Sequence, residues 1–319
     1  MNALQFTNRG LSVNKVDVPS DKAETLVRVT RSGICNTDLE IVRGYAGFQG
    51  TIGHEFVGVV ESSPDVPTLV GKRVVGEINV GCGRCGVCSA GDSRHCLERT
   101  VLGIKGRDGA HAEFLTLPAR NLIVVPDDVP DTAAVFTEPL AAAYGISEQV
   151  KLEPDTKVAV IGDGKLGILC AVCAALSSSD VHLIGKHRSK LAIAERQGVH
   201  GLLLDNVRTN LDKAFDVVIE ASGSESGFAT ALDLVKPRGK IVLKSTFQGK
   251  PIWEAWRVVV DEITIVGSRC GRMVPALELL QKGQVRVDDL IDEEFNLANG
   301  VKAMEYAGQK GALKVLLRP

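Results

Sequence analysis

The stretch Lys157–Leu176, K-V-A-V-I-G-D-G-K-L-G-I-L-C-A-V-C-A-A-L, decides how the chain is to be read. Val158 to Ile161 is a short apolar run, after which Gly162, Gly164 and Gly167 spell G-x-G-x-x-G while the apolar spacing lengthens toward that of a helix. This predicts a strand, a tight turn and a helix. Gly162 permits the sharp turn, Gly164 has no side chain to keep a pyrophosphate from the backbone N–H groups, and Gly167 lets the helix pack close on the strand. Lys165 and Leu166 open that helix, whose N-terminus turns partial positive charge toward phosphates. A bare glycine turn would carry the same letters. The flanking strand and helix, and a second strand from Val181 to Ile184 at the spacing of a βαβ unit, favour a dinucleotide site.

The end of that second strand bears on the choice of dinucleotide. NAD-specific folds place an acid there, about 20 residues beyond the glycines, to accept a hydrogen bond from the adenosine ribose 2′-OH. This chain has Gly185, followed by Lys186, His187, Arg188 and Lys190. A small residue backed by several donors predicts a preference for NADP(H), carried mainly by Lys186 and Arg188. NAD(H) remains the alternative, with the basic residues a solvated helix start.

Outward from this stretch, strand and helix signals alternate from about residue 156 to 268: Val217 to Ile219, a helix near 225 to 235, Ile241 to Lys244, and Ile263 to Val266. That pattern predicts an α/β domain with a doubly wound parallel sheet. Cys170 and Cys173, one turn apart on its first helix and beside alanines, read as buried small hydrophobes rather than a redox pair.

At 319 residues the chain is about twice a common domain, so two domains are expected. Apolar residues at 45% and charged residues at 24% suit a globular protein with a substantial core. The net charge of −2, with no long basic run, argues against a nucleic-acid or membrane surface. The first ten residues show no basic leader with an apolar core, and no apolar stretch reaches the ~18 residues of a membrane span, so a cytoplasmic location is expected.

Residues 1 to 80 read as a mainly β module, with Leu26 to Thr30 and Phe56 to Val60 as clear strands. Two polar clusters interrupt it, Cys35-Asn-Thr-Asp38 and Gly53-His54-Glu55. A lone Cys or His here would be a core residue. Together a thiolate, an imidazole and a carboxylate are the ligand set of a catalytic zinc that keeps one position open. Asp38 is placed to orient His54 by accepting from its other ring nitrogen.

Cys82, Cys85, Cys88 and Cys96 follow, two residues apart for the first three and seven between the third and fourth. Four thiolates close a tetrahedral shell, which points to a structural zinc. An iron–sulfur cluster is the rival, but bacterial ferredoxin spacing puts Pro after the fourth Cys, and here Leu97 follows Cys96. Disulfides suit small secreted folds rather than this chain. His95 reads as an exposed loop residue. Glu138, ahead of Pro139 at a helix start, favours the helix dipole whatever else it does. Two helices, near 274 to 282 and 299 to 307, and a strand from Lys314 to Leu317 close the chain and are expected to pack on the N-terminal module.

The ordered set Cys35-x-Thr-Asp38, Gly53-His54-Glu55, the four-cysteine lobe, Glu138-Pro139-Leu140-Ala141 and the glycine turn resembles the zinc-dependent medium-chain dehydrogenases over essentially the full length. The resemblance implies a GroES-like catalytic domain from residues 1–138 and 269–319 around a Rossmann domain at 139–268. It implies a catalytic zinc on Cys35, His54 and Glu138, with Glu55 beside the metal and able to enter its shell, and a structural zinc on the four cysteines. It places Thr37 at the proton-relay hydroxyl and Lys314 near the pyrophosphate. It implies hydride transfer between an alcohol or polyol, or the matching carbonyl compound, and NADP(H) or NAD(H), in a homo-oligomer. Where many members carry a relay histidine, five residues after the cysteine, this chain has Glu40, a carboxylate whose unperturbed pKa is near 4.3. Tyr45, Phe48 and the segment near Arg269 and Arg272 are candidate pocket residues.

Overall fold

The computed structural model describes residues 1–20, 23–207, 212–246 and 254–319. The chain divides into two compact units: Met1–Glu138 with Met273–Gln281 and Ile291–Pro319, and Pro139–Arg272 with Lys282–Leu290. The C-terminal segment expected to join the first module as a block is therefore shared, since residues 269–272 and 282–290 cluster with the second unit.

In the second unit six strands lie side by side: β1 (Lys157–Ile161), β2 (Asp180–Gly185), β3 (His200–Leu203), β4 (Phe215–Glu220), β5 (Val235–Leu243) and β6 (Thr264–Gly267). All neighbours are parallel and the order is β3-β2-β1-β4-β5-β6. This is the doubly wound dinucleotide-binding order, reversing direction at β1. Val158, Ala159 and Val160 are fully buried, as a parallel strand covered on both faces requires, which is why β1 reads as an unbroken apolar run. The helix Lys165–Ala175 begins immediately after the glycine turn, with Gly164 at its N-cap. Cys170 and Cys173 are buried within it, and burial pushes the Cys170 thiol up to about 11, which leaves both inert. Strand β3 was not anticipated, because His-Gly-Leu-Leu shows no alternation.

The first unit holds a seven-stranded sheet, in which the strand Thr25–Ile34 pairs with Glu55–Ser62 and with the C-terminal strand Lys314–Arg318. Around Gly33 the register opposes Glu55 on one side and Leu316 on the other, so the two ends of the unit's sequence meet there. A core of Leu4, Ile34, Ile41, Ile52, Met304 and Val315 lies beside this seam. Phe48, a candidate pocket residue, is instead buried in that core, and Tyr45 packs against it. The short pair Asn79–Val80 and Thr100–Val101 forms its own two-stranded ladder at the base of the cysteine lobe.

Candidate functional site

Cys35 closes the strand Thr25–Ile34 and is the N-cap of the helix Asn36–Val42. Asp38, at the third helical position, turns back so that its Oδ2 accepts from the Cys35 backbone N–H at 2.8 Å, the reciprocal half of a capping box. Its Oδ1 accepts from the Gly53 N–H at 3.2 Å and stands 3.3 Å from His54 Nδ1. One buried carboxylate thus ties the Cys35 turn to the His54 turn through backbone N–H groups, while His54 Nδ1 makes no hydrogen bond among the described residues. Gly53 has φ +99, and a Cβ there would lie 2.5 Å from the His111 ring, so only glycine fits before His54.

The donor atoms of Cys35, His54 and Glu55 lie within 4.8 Å of one another. Glu55 Oε1 is buried without a hydrogen-bond partner among the described residues, a placement that a cation would satisfy. Burial works against protonation of His54, yet the charges of Asp38 and Cys35 outweigh it and hold its pKa well above 6.5. Burial likewise opposes ionised Asp38, but His54 and His111 pull it far below the usual carboxylate range. Thr37 Oγ1 is 3.7 Å from Cys35 Sγ. Glu138 stands outside the converging trio. Burial, opposed by His54 and reinforced by Glu55 and Glu77, pushes its carboxyl up to about 7.

Two expected residues have ion-pair partners. Glu40 is ion-paired to Arg43 at 2.7 Å. Lys314, expected near the phosphates, is buried and ion-paired to Glu55, with its ammonium 5.5 Å from the centre of the Phe136 ring. His111 escaped the sequence reading altogether: it is fully buried, its Nδ1 is 2.8 Å from Ser32 Oγ, and its Nε2 is 3.6 Å from Asp38. Flanked by alanines, it carries no motif that would have flagged it.

In the cysteine lobe the four sulfurs of Cys82, Cys85, Cys88 and Cys96 also lie within 4.8 Å of one another, and Cys85 Sγ is 3.8 Å from Cys96 Sγ. The Cys82 backbone N–H leads in drawing the Cys96 thiol down to about 7; the Gly83 backbone pulls Cys88 down most strongly of any single neighbour, but burial and the sulfurs of Cys85, Cys96 and Cys82 together raise it to about 11. Four converging sulfurs fit a divalent cation, and an all-sulfur donor set fits zinc. His95 is exposed and pairs with Asp92 at 2.7 Å, the loop role expected of it.

In the nucleotide unit Gly162 has φ +111, and a Cβ there would lie 2.6 Å from the Ala221 carbonyl oxygen. A Cβ on Gly167 would meet the Gly162 carbonyl at 1.8 Å, whereas one on Gly164 would meet nothing within 4 Å among the described residues. The turn is therefore closed on the protein side and open beyond Gly164, where the N-terminus of the helix Lys165–Ala175 fits a phosphate. Lys186 is exposed, while Arg188, expected as a phosphate donor, pairs with Glu195 at 2.6 Å. His187 Nδ1 is 3.0 Å from Asp163 Oδ2.

Residues 21–127 match the family model of the alcohol dehydrogenase GroES-like domain, and residues 166–282 that of the zinc-binding dehydrogenases. An erythritol/L-threitol dehydrogenase of Mycolicibacterium smegmatis is 30% identical, over 96% of this chain and 94% of its own. The chain belongs to the zinc-dependent medium-chain dehydrogenases/reductases. Two solved structures extend the likeness. An alcohol dehydrogenase of Escherichia coli CFT073, complexed with NADH, superposes with a TM-score of 0.92 at 25% identity, over 100% of this chain and 99% of that one. A putative zinc-binding dehydrogenase of Sinorhizobium meliloti 1021, bound to NADP, does so with a TM-score of 0.89 at 26% identity, over the same shares. As a member of this family the protein is a zinc-dependent oxidoreductase that uses a nicotinamide dinucleotide, built from a GroES-like and a Rossmann domain.

No helix among the described residues is long and apolar enough to cross a membrane.

Proposed function

We propose that this dehydrogenase interconverts an alcohol or polyol with its aldehyde or ketone. The observation that carries the reading is the convergence of Cys35, His54 and Glu55 within 4.8 Å, with a buried Glu55 oxygen left for a cation. A zinc held there would supply Lewis acidity to the substrate oxygen, and a bound nicotinamide dinucleotide would supply the hydride chemistry. Cys35 and His54 hold the metal with Glu138 or Glu55 as the oxygen donor, and Asp38 orients His54. Thr37, on the first turn of the helix that Cys35 caps, accepts the proton of the substrate hydroxyl while passing on its own. Glu40, three residues further along the same helix, stands in for the relay histidine, its carboxylate held by Arg43. Cys82, Cys85, Cys88 and Cys96 hold a second zinc whose role is folding.

A polyol substrate is supported by the erythritol/L-threitol dehydrogenase among the relatives. The cofactor is a nicotinamide dinucleotide, and NADP(H) is the choice that the basic residues Lys186 and Arg188 favour, although Arg188 is already paired to Glu195. The family resemblance supports a homo-oligomer, and so do Trp256, Val259 and Val260, exposed together on the helix Ala255–Val260.

The test is a panel of alcohols, polyols and aldehydes followed at the nicotinamide absorbance with both cofactors, with Cys35→Ser and Thr37→Ala run alongside. Turnover that either substitution abolishes, in a protein that stays folded, is the expected result. Nucleotide and zinc binding with no turnover across the panel would instead favour a non-catalytic sensor.

A further inference from the structure

Gly185 occupies the end of β2, the position at which NAD-specific folds carry their ribose-binding acid. A Cβ built on Gly185 would lie 2.4 Å from Asp163 Cβ and 2.5 Å from Asp163 Oδ2. The space that a side chain at 185 would fill is thus occupied by another side chain, the middle residue of Gly162-Asp163-Gly164, reaching across from the glycine turn. Asp163 is 8% exposed. Its Oδ2 accepts from the backbone N–H groups of Lys186 and His187, both at 2.7 Å, and stands 3.0 Å from His187 Nδ1. Its Oδ1 has no hydrogen-bond partner among the described residues.

We propose that Asp163 is the specificity-determining carboxylate for the adenosine ribose, replacing from the glycine turn the acid missing at the end of β2, so that the protein prefers NAD(H) to NADP(H). The proposal rests on the nicotinamide-dependent reading above and reverses the preference drawn from the basic run. Oδ1 is left to accept from the ribose 2′-OH. A 2′-phosphate would instead bring like charge against a nearly buried carboxylate, and the two N–H groups at the strand end are already used by Oδ2. The cations nearby compensate weakly. Arg188 is 60% exposed at its side chain and paired to Glu195, and Lys186 is exposed, so solvent screens both, whereas Asp163 is shielded. The sequence motif hides this role because the residue between the first two glycines is unrestricted in it.

The experiment is a fluorescence titration of the purified zinc-loaded protein with NADH and NADPH, giving the ratio of the two dissociation constants without any substrate. Asp163→Asn removes the charge and keeps an oxygen for the backbone N–H groups; Asp163→Ala removes both. The parent should bind NADH at least about tenfold more tightly than NADPH, and Asp163→Asn should narrow that ratio by about tenfold, chiefly through tighter NADPH. A parent that binds NADPH more tightly, or a folded Asp163→Asn protein with an unchanged ratio, overturns the proposal and leaves the dehydrogenase reading standing. Failure of the folded parent to bind either dinucleotide overturns both. Should the substitutions misfold, competition in the parent decides: 5′-AMP should displace NADH better than adenosine 2′,5′-bisphosphate does, and the reverse order overturns the proposal.

Discussion

Glu55 and Lys314 form a buried ion pair that spans Gly33, joining the strand that starts the candidate metal site to the last strand of the chain. A Cβ on Gly33 would lie 2.4 Å from Glu55 Oε2 and 3.3 Å from Lys314 Cδ, so the glycine is the space through which the pair meets. Both charges are almost wholly buried, and Glu55 has one oxygen on Lys314 and one without a partner among the described residues. That division leaves a carboxylate able to face a metal while its remaining charge is balanced.

Lys314→Met should therefore strand the Glu55 carboxylate and cost about 3–5 kcal/mol of stability, while the double change Glu55→Gln with Lys314→Met should recover most of the loss. Denaturant unfolding of the parent, the single and the double variant measures the coupling. Equal losses in the single and double variants would show that the pair does not act as a unit.

Asp38 accepts from two backbone N–H groups and faces two histidines, its Oδ1 3.3 Å from His54 Nδ1, which places it to orient that ring. Asp38→Asn should weaken retention of the catalytic zinc by about 10–100-fold, the usual effect of losing an orienting partner. Competition with a coloured chelator reads this affinity directly, and the cysteine-lobe zinc in the same sample serves as the internal control. Retention equal to the parent's would refute the orienting role.

The parts legible in the sequence are those whose chemistry is local. The glycine turn, the four-cysteine spacing and Cys35 with His54 announce themselves because neighbouring residues must satisfy one ion or one phosphate. What escaped is long-range. Lys314 and Glu55 are 259 residues apart, and nothing near either names the other. His111 reaches Asp38 from a segment between alanines, and Asp163 lies in a position that the glycine motif leaves open. The ion pair of Arg188 with Glu195, two turns further along the same helix, is likewise absent from any local motif. Residues 282–290 joined the nucleotide unit through contacts such as Arg286 to the Arg196 carbonyl, which periodicity cannot reveal.

Two zinc ions per chain are expected, with separable duties. Elemental analysis should fall from two to one in both Cys88→Ser and Cys35→Ser. Only the first should lose stability, on the order of several kcal/mol, because a closed four-sulfur shell contributes its binding energy to folding. Cys35→Ser should melt close to the parent and lose turnover. One zinc in the parent, or iron in its place, would remove the basis for assigning the two sets different roles.

Glu138 gives a prediction whose sign depends on the metal. Burial leads in raising its carboxyl from 4.5 to about 7 in the folded chain. Between those values the folded state binds more protons than the unfolded one, so this group's contribution to stability is complete below about 4.5 and is lost as the pH rises through about 7. In chelator-treated protein, Glu138→Gln should match the parent at pH 4 and become the more stable of the two by pH 8, as followed by thermal unfolding across that range. With zinc restored the order should invert, since a carboxylate that ligates the metal is worth more than the neutral amide that replaces it. A helix-start carboxylate acting only on the dipole would contribute about 0.3–1 kcal/mol and would be indifferent to zinc. Glu138→Gln protein that keeps its catalytic zinc and its turnover as well as the parent does would reduce Glu138 to that smaller role.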